Sequence, residues 1–377
     1  MKFTRQPKSP SPPHAPAHTP THRLTHSPPF PSSRLPAGDP RAESPALAHA
    51  LPSSVPARTP LFLTGPTAVG KSAVALALAE RLGGEIISVD SMQVYRGLDI
   101  GTAKPAPADR QRVPHHLIDV VDLTEQFDAA KFVRLAGAAM ADIQARGQVP
   151  IFCGGTGLYF RAFLEGLGDS PPADPALRTE LEAAPLPELL RELEQRDPET
   201  FRSIDRQNAR RVVRALEVIR LTGKPFSAQR APWAKPHTPH SAFRTPHSAF
   251  RTPHFYALTR SPADLRARID ARVEDMFRRG LVEETRDLLA RGLEQNRPAM
   301  QAIGYRQVVE HLRGVRSLPD TIALVKQRTR QFAKRQMTWI RHQLEVTWLA
   351  LRSGDWIEDT VDRVVNDYSV AAGQRGR

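Results

Sequence analysis

The segment Gly65-Pro66-Thr67-Ala68-Val69-Gly70-Lys71-Ser72 constrains this chain more than any other. It fits G-x-x-x-x-G-K-[ST], a phosphate-binding loop that carries meaning only when a strand precedes it and a helix follows. Both flanks comply. Leu61-Phe62-Leu63-Thr64 is a short apolar run bounded by Pro60 and Gly65, which reads as a buried strand. Ser72 to Leu82 is rich in Ala and Leu, reads as a helix, and ends at Gly83-Gly84. Glu85-Ile86-Ile87-Ser88-Val89-Asp90 then supplies a second strand. Strand, loop, helix and strand make a βαβ unit, whose natural product is a parallel sheet. In such a loop the backbone amides and the positive helix end face an anion. Lys71 is expected to reach a terminal phosphate as a point charge, and Ser72 to hold Mg²⁺ through its hydroxyl. Taken alone, the loop suggests ATP or GTP.

Further strands are expected at His116–Val121 and Val149–Cys153, with a helix over Ala129–Arg146 between them. From 168 to 230 the texture changes to charged helices, Ala176–Ala183, Leu186–Arg196 and Asn208–Leu221, without a strand-like run. Phe255–Leu258 returns as a strand. Helices follow over Pro262–Arg279, Val282–Arg291, Tyr305–Arg313 and Ser317–Gln343. The last carries Lys326, Arg328, Arg330, Lys334, Arg335 and Arg341, a density that suits a solvated face or a phosphodiester backbone. The expected fold is therefore α/β: a P-loop NTPase-like parallel sheet core, with an inserted helical domain and C-terminal helices. Its parts are 59–167, the first part of the core; 168–230, the helical insertion; 231–254, a repeat loop; 255–350, the return to the core with the basic helices; and 351–377, a C-terminal tail.

Residues 1–58 hold 14 of the 35 prolines and no periodicity, so this head is expected to be disordered. It has no apolar h-region and does not read as a secretory signal. Residues 238–254 repeat Thr-Pro-His-Ser-Ala-Phe-Arg twice, then Thr252-Pro253-His254, too few units for a solenoid; a surface loop is expected. A single cysteine, Cys153, excludes a disulfide framework and a Cys-based zinc site; within its apolar run it reads as a small buried hydrophobe rather than a nucleophile. No run of 18 or more uncharged apolar residues exists, so no membrane span is expected. The net charge of +13 hints at a polyanionic partner. Residues 1–60 contribute +5 of it (seven Lys/Arg against two Asp/Glu), leaving +8 for the rest.

Asp90 ends the second strand at the carboxyl edge, where open α/β sheets bind ligands. From position alone it is an outer magnesium ligand, a general base or a strand-end cap.

Taken together, several motifs resemble the tRNA dimethylallyltransferases (tRNA isopentenyltransferases) of bacterial type. They are Gly65–Ser72, Asp90-Ser91-Met92-Gln93-Val94-Tyr95-Arg96, Asp99-Ile100-Gly101-Thr102-Ala103-Lys104-Pro105 and His115-His116-Leu117-Ile118-Asp119. Gly154-Gly155-Thr156-Gly157-Leu158-Tyr159, Arg210-Arg211-Val212-Val213-Arg214-Ala215-Leu216-Glu217, Ala299–Tyr305 and Ala333–Trp339 continue the series. The resemblance covers roughly 61–350 and implies transfer of a dimethylallyl group from its diphosphate to the exocyclic amine of the adenine 3′ of the anticodon, releasing diphosphate. It implies that Asp90 is the general base and that Gly65, Pro66, Thr67, Ala68, Val69, Gly70, Lys71 and Ser72, with Mg²⁺, hold the diphosphate. One of Arg268 and Arg272, four apart on a helix face, would clamp that diphosphate bidentately. The tRNA anticodon loop would meet Asp90, Ser91, Met92, Gln93 (through an amide offered to base edges) and Thr156. It would also meet Arg178, Arg210, Arg211, Val212, Val213, Arg214 and the segment Met300, Gln301, Ala302, Ile303 and Gly304. Eukaryotic members often add a C-terminal Cys/His zinc finger, for which this chain lacks cysteines. A cytoplasmic, monomeric enzyme is expected. A P-loop small-molecule kinase and a non-catalytic RNA-binding NTPase are the alternatives.

Overall fold

The computed structural model describes residues 58–229, 254–352, 354 and 356–373. The head and nearly all of the seven-residue repeat lie outside the described residues, and with them the expectations placed on those segments.

Six parallel strands form one sheet in the order β3-β2-β4-β1-β5-β6: β1 Leu61–Thr64, β2 Gly84–Val89, β3 His115–His116, β4 Val149–Gly154, β5 Phe255–Thr259 and β6 Thr347–Ala350. Thirteen α-helices accompany them among the described residues. They are α1 Lys71–Leu82, α2 Pro107–Arg112, α3 Ala129–Ala145, α4 Gly157–Glu165, α5 Pro175–Ala183, α6 Leu186–Arg196, α7 Pro198–Ser203, α8 Ala209–Thr222, α9 Pro262–Arg278, α10 Leu281–Ala290, α11 Tyr305–Leu312, α12 Leu318–Gln343 and α13 Ile357–Gly373.

The central strand β1 is buried on both faces, because alternate side chains of a strand point to opposite sides. Phe62 enters one layer with Phe152, Phe160, Phe163 and Phe255, stacking on Phe152 at 4.8 Å between ring centroids. Leu61 and Leu63 enter the other with Val74, Leu78 and Tyr256. The P-loop therefore springs from the best-buried strand of the sheet. Helices α5–α8 gather around a separate apolar cluster of Leu181, Leu189, Leu193, Val212, Val213 and Leu216.

Three expectations are corrected. The strand proposed over 116–121 is only His115–His116, paired with Ile86 and Ile87. Beyond it Leu117 and Asp119 take positive φ (61° and 57°). The chain turns there because Asp119 is captured by Lys104 Nζ at 2.5 Å and Arg110 Nη1 at 2.7 Å. The Lys104 side chain is only 4% exposed, and such a buried ammonium requires a carboxylate partner. Second, the segment taken as a C-terminal tail holds α13, whose Val361, Val364 and Tyr368 are buried in the layer containing α1. Third, His254, assigned to the surface repeat, is 3% exposed; its carbonyl accepts the Phe62 amide at 2.8 Å, and its ring lies 4.7 Å from that of Tyr368.

Candidate active site

The loop after β1 carries three positive-φ residues, Gly65 (146°), Ala68 (63°) and Gly70 (115°). At Gly65 a Cβ would also sit 2.8 Å from the Leu258 carbonyl oxygen, so glycine is needed for both conformation and space. Gly70 opens α1, and no side chain caps that helix. Its first-turn amides are thus left for an anion, which the helix dipole favours. Lys71 Nζ folds back to donate to the Gly65 and Pro66 carbonyls at 3.0 and 2.8 Å. Ser72 is exposed beside it. The outer carbonyls of the loop are held from the far side: Arg260 Nε donates to Val69 at 2.8 Å and Arg268 Nε to Ala68 at 3.0 Å.

Asp90 follows β2. Its Oδ1 accepts the amides of Met92 (2.8 Å) and Gln93 (3.2 Å), an Asx turn that fixes the carboxylate at the sheet edge. The Thr156 hydroxyl, from the turn after β4, accepts the Ser91 amide at 3.2 Å. Asp90, Ser91 and Thr156 are thus brought together by the adjacent ends of β2 and β4. The Gln93 amide, expected to face a base, is spent inside the protein. Its Oε1 accepts from Ser88 Oγ at 2.9 Å, and its Nε2 donates to the carbonyls of Thr102 and Ala103 at 3.2 and 3.3 Å.

The electrostatics tie these pieces to α9. Burial lowers the Lys71 pKa to about 8, with nearby Arg272 lowering it further and Cys153 and Asp90 opposing. Burial likewise lowers the Arg272 pKa, Asp90 opposes the shift and Arg268 adds to it. The Asp90 carboxylate therefore acts on both Lys71 and Arg272. Arg272 makes no hydrogen bond or ion pair among the described residues, whereas exposed Arg268 is bonded to the loop backbone. Burial pushes the Cys153 thiol up to about 11, so it stays protonated near neutrality and is no nucleophile.

Helix α12 closes the other side, and the glycine turn after β4 exists to admit it. A Cβ on Gly155 would fall 2.3 Å from Gln336 Nε2, and one on Gly157 2.1 Å from the Trp339 ring. Gln336, given no role by the sequence reading, bonds Thr67 N and the Gly155 carbonyl together. Only its place in the Ala333–Trp339 motif hinted at a role. The basic residues of α12 divide by position. Lys326 and Arg330 are paired with Glu274 and Asp270 of α9. Lys334, Arg335, Trp339 and His342 line a groove of about 680 Å³.

The insertion treats its arginines differently. Arg178 Nη2 and Arg214 Nη1 each donate to Glu217 Oε2 at 2.6 Å, and Glu217 is fully buried. Arg210 Nη1 donates to Gln301 Oε1 at 2.5 Å, linking α8 to the Met300 segment. Exposed Arg211 has no side-chain partner among the described residues. Val212 and Val213 lie in the apolar cluster of the insertion and Ala302 is 7% exposed, so these side chains pack inside the protein rather than at its surface. Gly304 is also buried; Met300 and Ile303 are half-buried and Gln301 is exposed.

No trio of His, Cys, Asp or Glu suited to a metal occurs among the described residues. The exposed Ser72 hydroxyl at an uncapped helix start fits a magnesium ion that takes most of its ligands from phosphate and water.

A parallel sheet whose central strand ends in a glycine loop leading into a helix defines a P-loop-like α/β protein, with a carboxylate and an arginine, unpaired among the described residues, beside the loop. Residues 93–343 match the family model described as IPP transferase. A tRNA dimethylallyltransferase of Citrifermentans bemidjiense is 47% identical over 289 residues, covering 77% of this chain and 91% of that protein. The solved tRNA isopentenylpyrophosphate transferase of Bacillus halodurans is 36% identical with a TM-score of 0.59, covering 85% of this chain and all of that one. A eukaryotic dimethylallyltransferase solved acting on tRNA is 27% identical with a TM-score of 0.66, covering 83% and 80%. The chain belongs to the tRNA dimethylallyltransferase family and is an enzyme of that class.

Proposed function

We propose that the chain transfers a dimethylallyl group from dimethylallyl diphosphate to the exocyclic amine of the adenine 3′-adjacent to the anticodon of tRNA. The observation that carries this reading is the convergence of Lys71, Asp90 and an unpaired Arg272 beside an uncapped phosphate loop. An adenine amine is a weak nucleophile, because its lone pair is delocalised into the ring. Asp90 takes a proton from that nitrogen as the new carbon–nitrogen bond forms. The bond broken is carbon–oxygen, and diphosphate leaves intact with the electron pair. Negative charge grows on its oxygens, where the amides of Ala68 and 70–72, Lys71 and Arg272 stabilise it. Of the two candidate arginines we assign the bidentate clamp to Arg272, since the Arg268 guanidinium already holds the Ala68 carbonyl. Ser72 would hold a magnesium ion, which would supply charge neutralisation to the diphosphate.

The target base is stacked in the anticodon loop and must swing out to reach Asp90. In this reading Ser91, Met92 and Thr156, beside Asp90, receive that base, and the α12 groove and exposed Arg211 meet the surrounding phosphates. The insertion is the RNA-gripping part in this reading. No helix among the described residues is long and apolar enough to cross a membrane. We place the enzyme in the cytoplasm, where its RNA substrate matures, and expect it to work as a monomer.

Incubation with radiolabelled dimethylallyl diphosphate and unmodified tRNA tests the reading. Label in the RNA supports it. ATP turnover without prenyl transfer sinks it in favour of a P-loop kinase or an RNA-binding NTPase.

A further inference from the structure

Among the described residues, the side chain of Gln336 bridges the two glycine turns of the site, 65–70 and 154–157. Gln336 is 8% exposed and sits on α12 with its amide plane across the gap. Its Oε1 accepts the Thr67 amide at 2.8 Å, and its Nε2 donates to the Gly155 carbonyl at 3.0 Å. Gly155 lacks a Cβ where Gln336 Nε2 needs the room, so turn and side chain are fitted to each other.

The consequence lies in which amides this leaves free. The amide of Thr67 is consumed at the crest of the loop, while the first-turn amides of α1 carry no side-chain cap. A flexible glycine loop otherwise loses conformational entropy when it closes on an anion. Anchoring the crest removes part of that cost before the ligand arrives, which is preorganisation. The same bridge holds Thr156, next to Gly155, and so fixes where Ser91 and Asp90 stand relative to the phosphates.

We infer that Gln336 is a positioning residue: it presets the phosphate loop for diphosphate and registers that loop against the Asp90–Thr156 edge. This deepens the function proposed above and rests on its placing diphosphate in the loop. Gln336 touches neither substrate and moves no proton.

The test uses the full chain with two substitutions that keep side-chain length. Gln336→Met removes both bonds. Gln336→Glu keeps an acceptor for Thr67 but has no proton for the Gly155 carbonyl, and it adds negative charge at the loop. Calorimetric binding of inorganic pyrophosphate with magnesium is measured beside the KM for dimethylallyl diphosphate, the tRNA Kd and Tm. We expect Gln336→Met to weaken pyrophosphate binding and raise that KM roughly tenfold, the scale of one or two net hydrogen bonds. Gln336→Glu should weaken both further, with tRNA Kd within about twofold for each variant, a change under 0.5 kcal/mol. A pyrophosphate Kd within twofold of wild type for both variants, whatever their Tm, overturns the inference. So does a wild-type chain that binds no pyrophosphate. A wild-type chain that binds pyrophosphate but transfers no prenyl group, with both variants weakened, refutes the proposed function and leaves the inference standing.

Discussion

The core site and the helical insertion both carry several arginines, yet they handle polar groups differently. In the insertion three of the four helix starts and the arginines around Glu217 are satisfied internally, while α6 has no side-chain cap. Asp174, Asp197 and Asn208 cap α5, α7 and α8 with their side chains. Arg178 and Arg214 share Glu217, and Arg220 bonds Glu180 and Glu192. In the core, α1 starts without a side-chain cap and Arg272 has no partner among the described residues. The uncapped start of α6 and the guanidinium of exposed Arg211 can turn to water, whereas the half-buried Arg272 leaves its donors without a partner beside the glycine loop, and that costs free energy. The difference teaches where to look for ligand. An unspent donor that is also withdrawn from water is the better guide, and arginine content alone is not.

Substitutions can break that contrast, and the largest effect belongs to the core. Asp90→Asn keeps an oxygen for the Met92 and Gln93 amides and removes the base. Transfer should fall about 10³-fold, within the range for a lost general base, while Tm and tRNA affinity stay near wild type. Turnover within a few-fold of wild type would remove the general-base role.

In the insertion the corresponding loss should appear in stability. Glu217→Ala deletes a fully buried carboxylate and strands two guanidinium groups and the Asp174 amide. Breaking a buried pair costs about 3 kcal/mol, at the lower end here because both arginines keep some water. Denaturant unfolding should show that loss, and the KM for dimethylallyl diphosphate should barely move. A stability change under 1 kcal/mol would mean that Glu217 is not the keystone of the insertion.

The core site also has a pH signature. The Lys71 pKa is lowered to about 8 in the folded chain, so its charge is lost as pH rises through that value. For free enzyme, kcat/KM for dimethylallyl diphosphate should fall above pH 8, approaching roughly tenfold per unit for a single ionisation. Stability moves the other way. Between the folded value of about 8 and the ordinary 10.5 the unfolded chain binds more protons, so stability gains with pH. Lys71→Arg stays charged and should flatten the activity limb; an unchanged limb would assign it to another group.

Much of the fold was legible because it is local. The strand, glycine loop and helix over 61–82 follow from an apolar run and glycine placement, and β4 and β5 from short apolar runs bounded by turn residues. What escaped depended on distant partners. Beyond His116 a strand pattern gives way to a turn, because Lys104 draws Asp119 inward. Strand β6 is too short to read, but α13 was readable: Val361, Val364, Val365 and Tyr368 recur at helical spacing. At the site, motifs named the right neighbourhood and not each side chain's occupation. Gln93 stands in the matching motif with its amide already consumed, and Val212 and Val213 stand in theirs facing the insertion core. A motif records that a residue is needed. Whether the need is ligand or scaffold is decided by packing.

The smallest effect is the one that best separates the two regions. Arg211 and Arg178 are both insertion arginines, but Arg211 is exposed and unpaired among the described residues while Arg178 is tied to Glu217. If RNA passes this surface, Arg211→Ala removes one phosphate contact and should reduce the slope of log K against log salt by about 0.7 to 0.9. Affinity should drop only a few-fold, and Tm should hold. Arg178→Ala should do the reverse, lowering Tm because buried Glu217 keeps only Arg214 as a cationic partner, and leaving the salt slope alone. Equal salt slopes for wild type and Arg211→Ala would place the RNA elsewhere, with the α12 groove of Lys334, Arg335 and Trp339 as the remaining basic face beside the site.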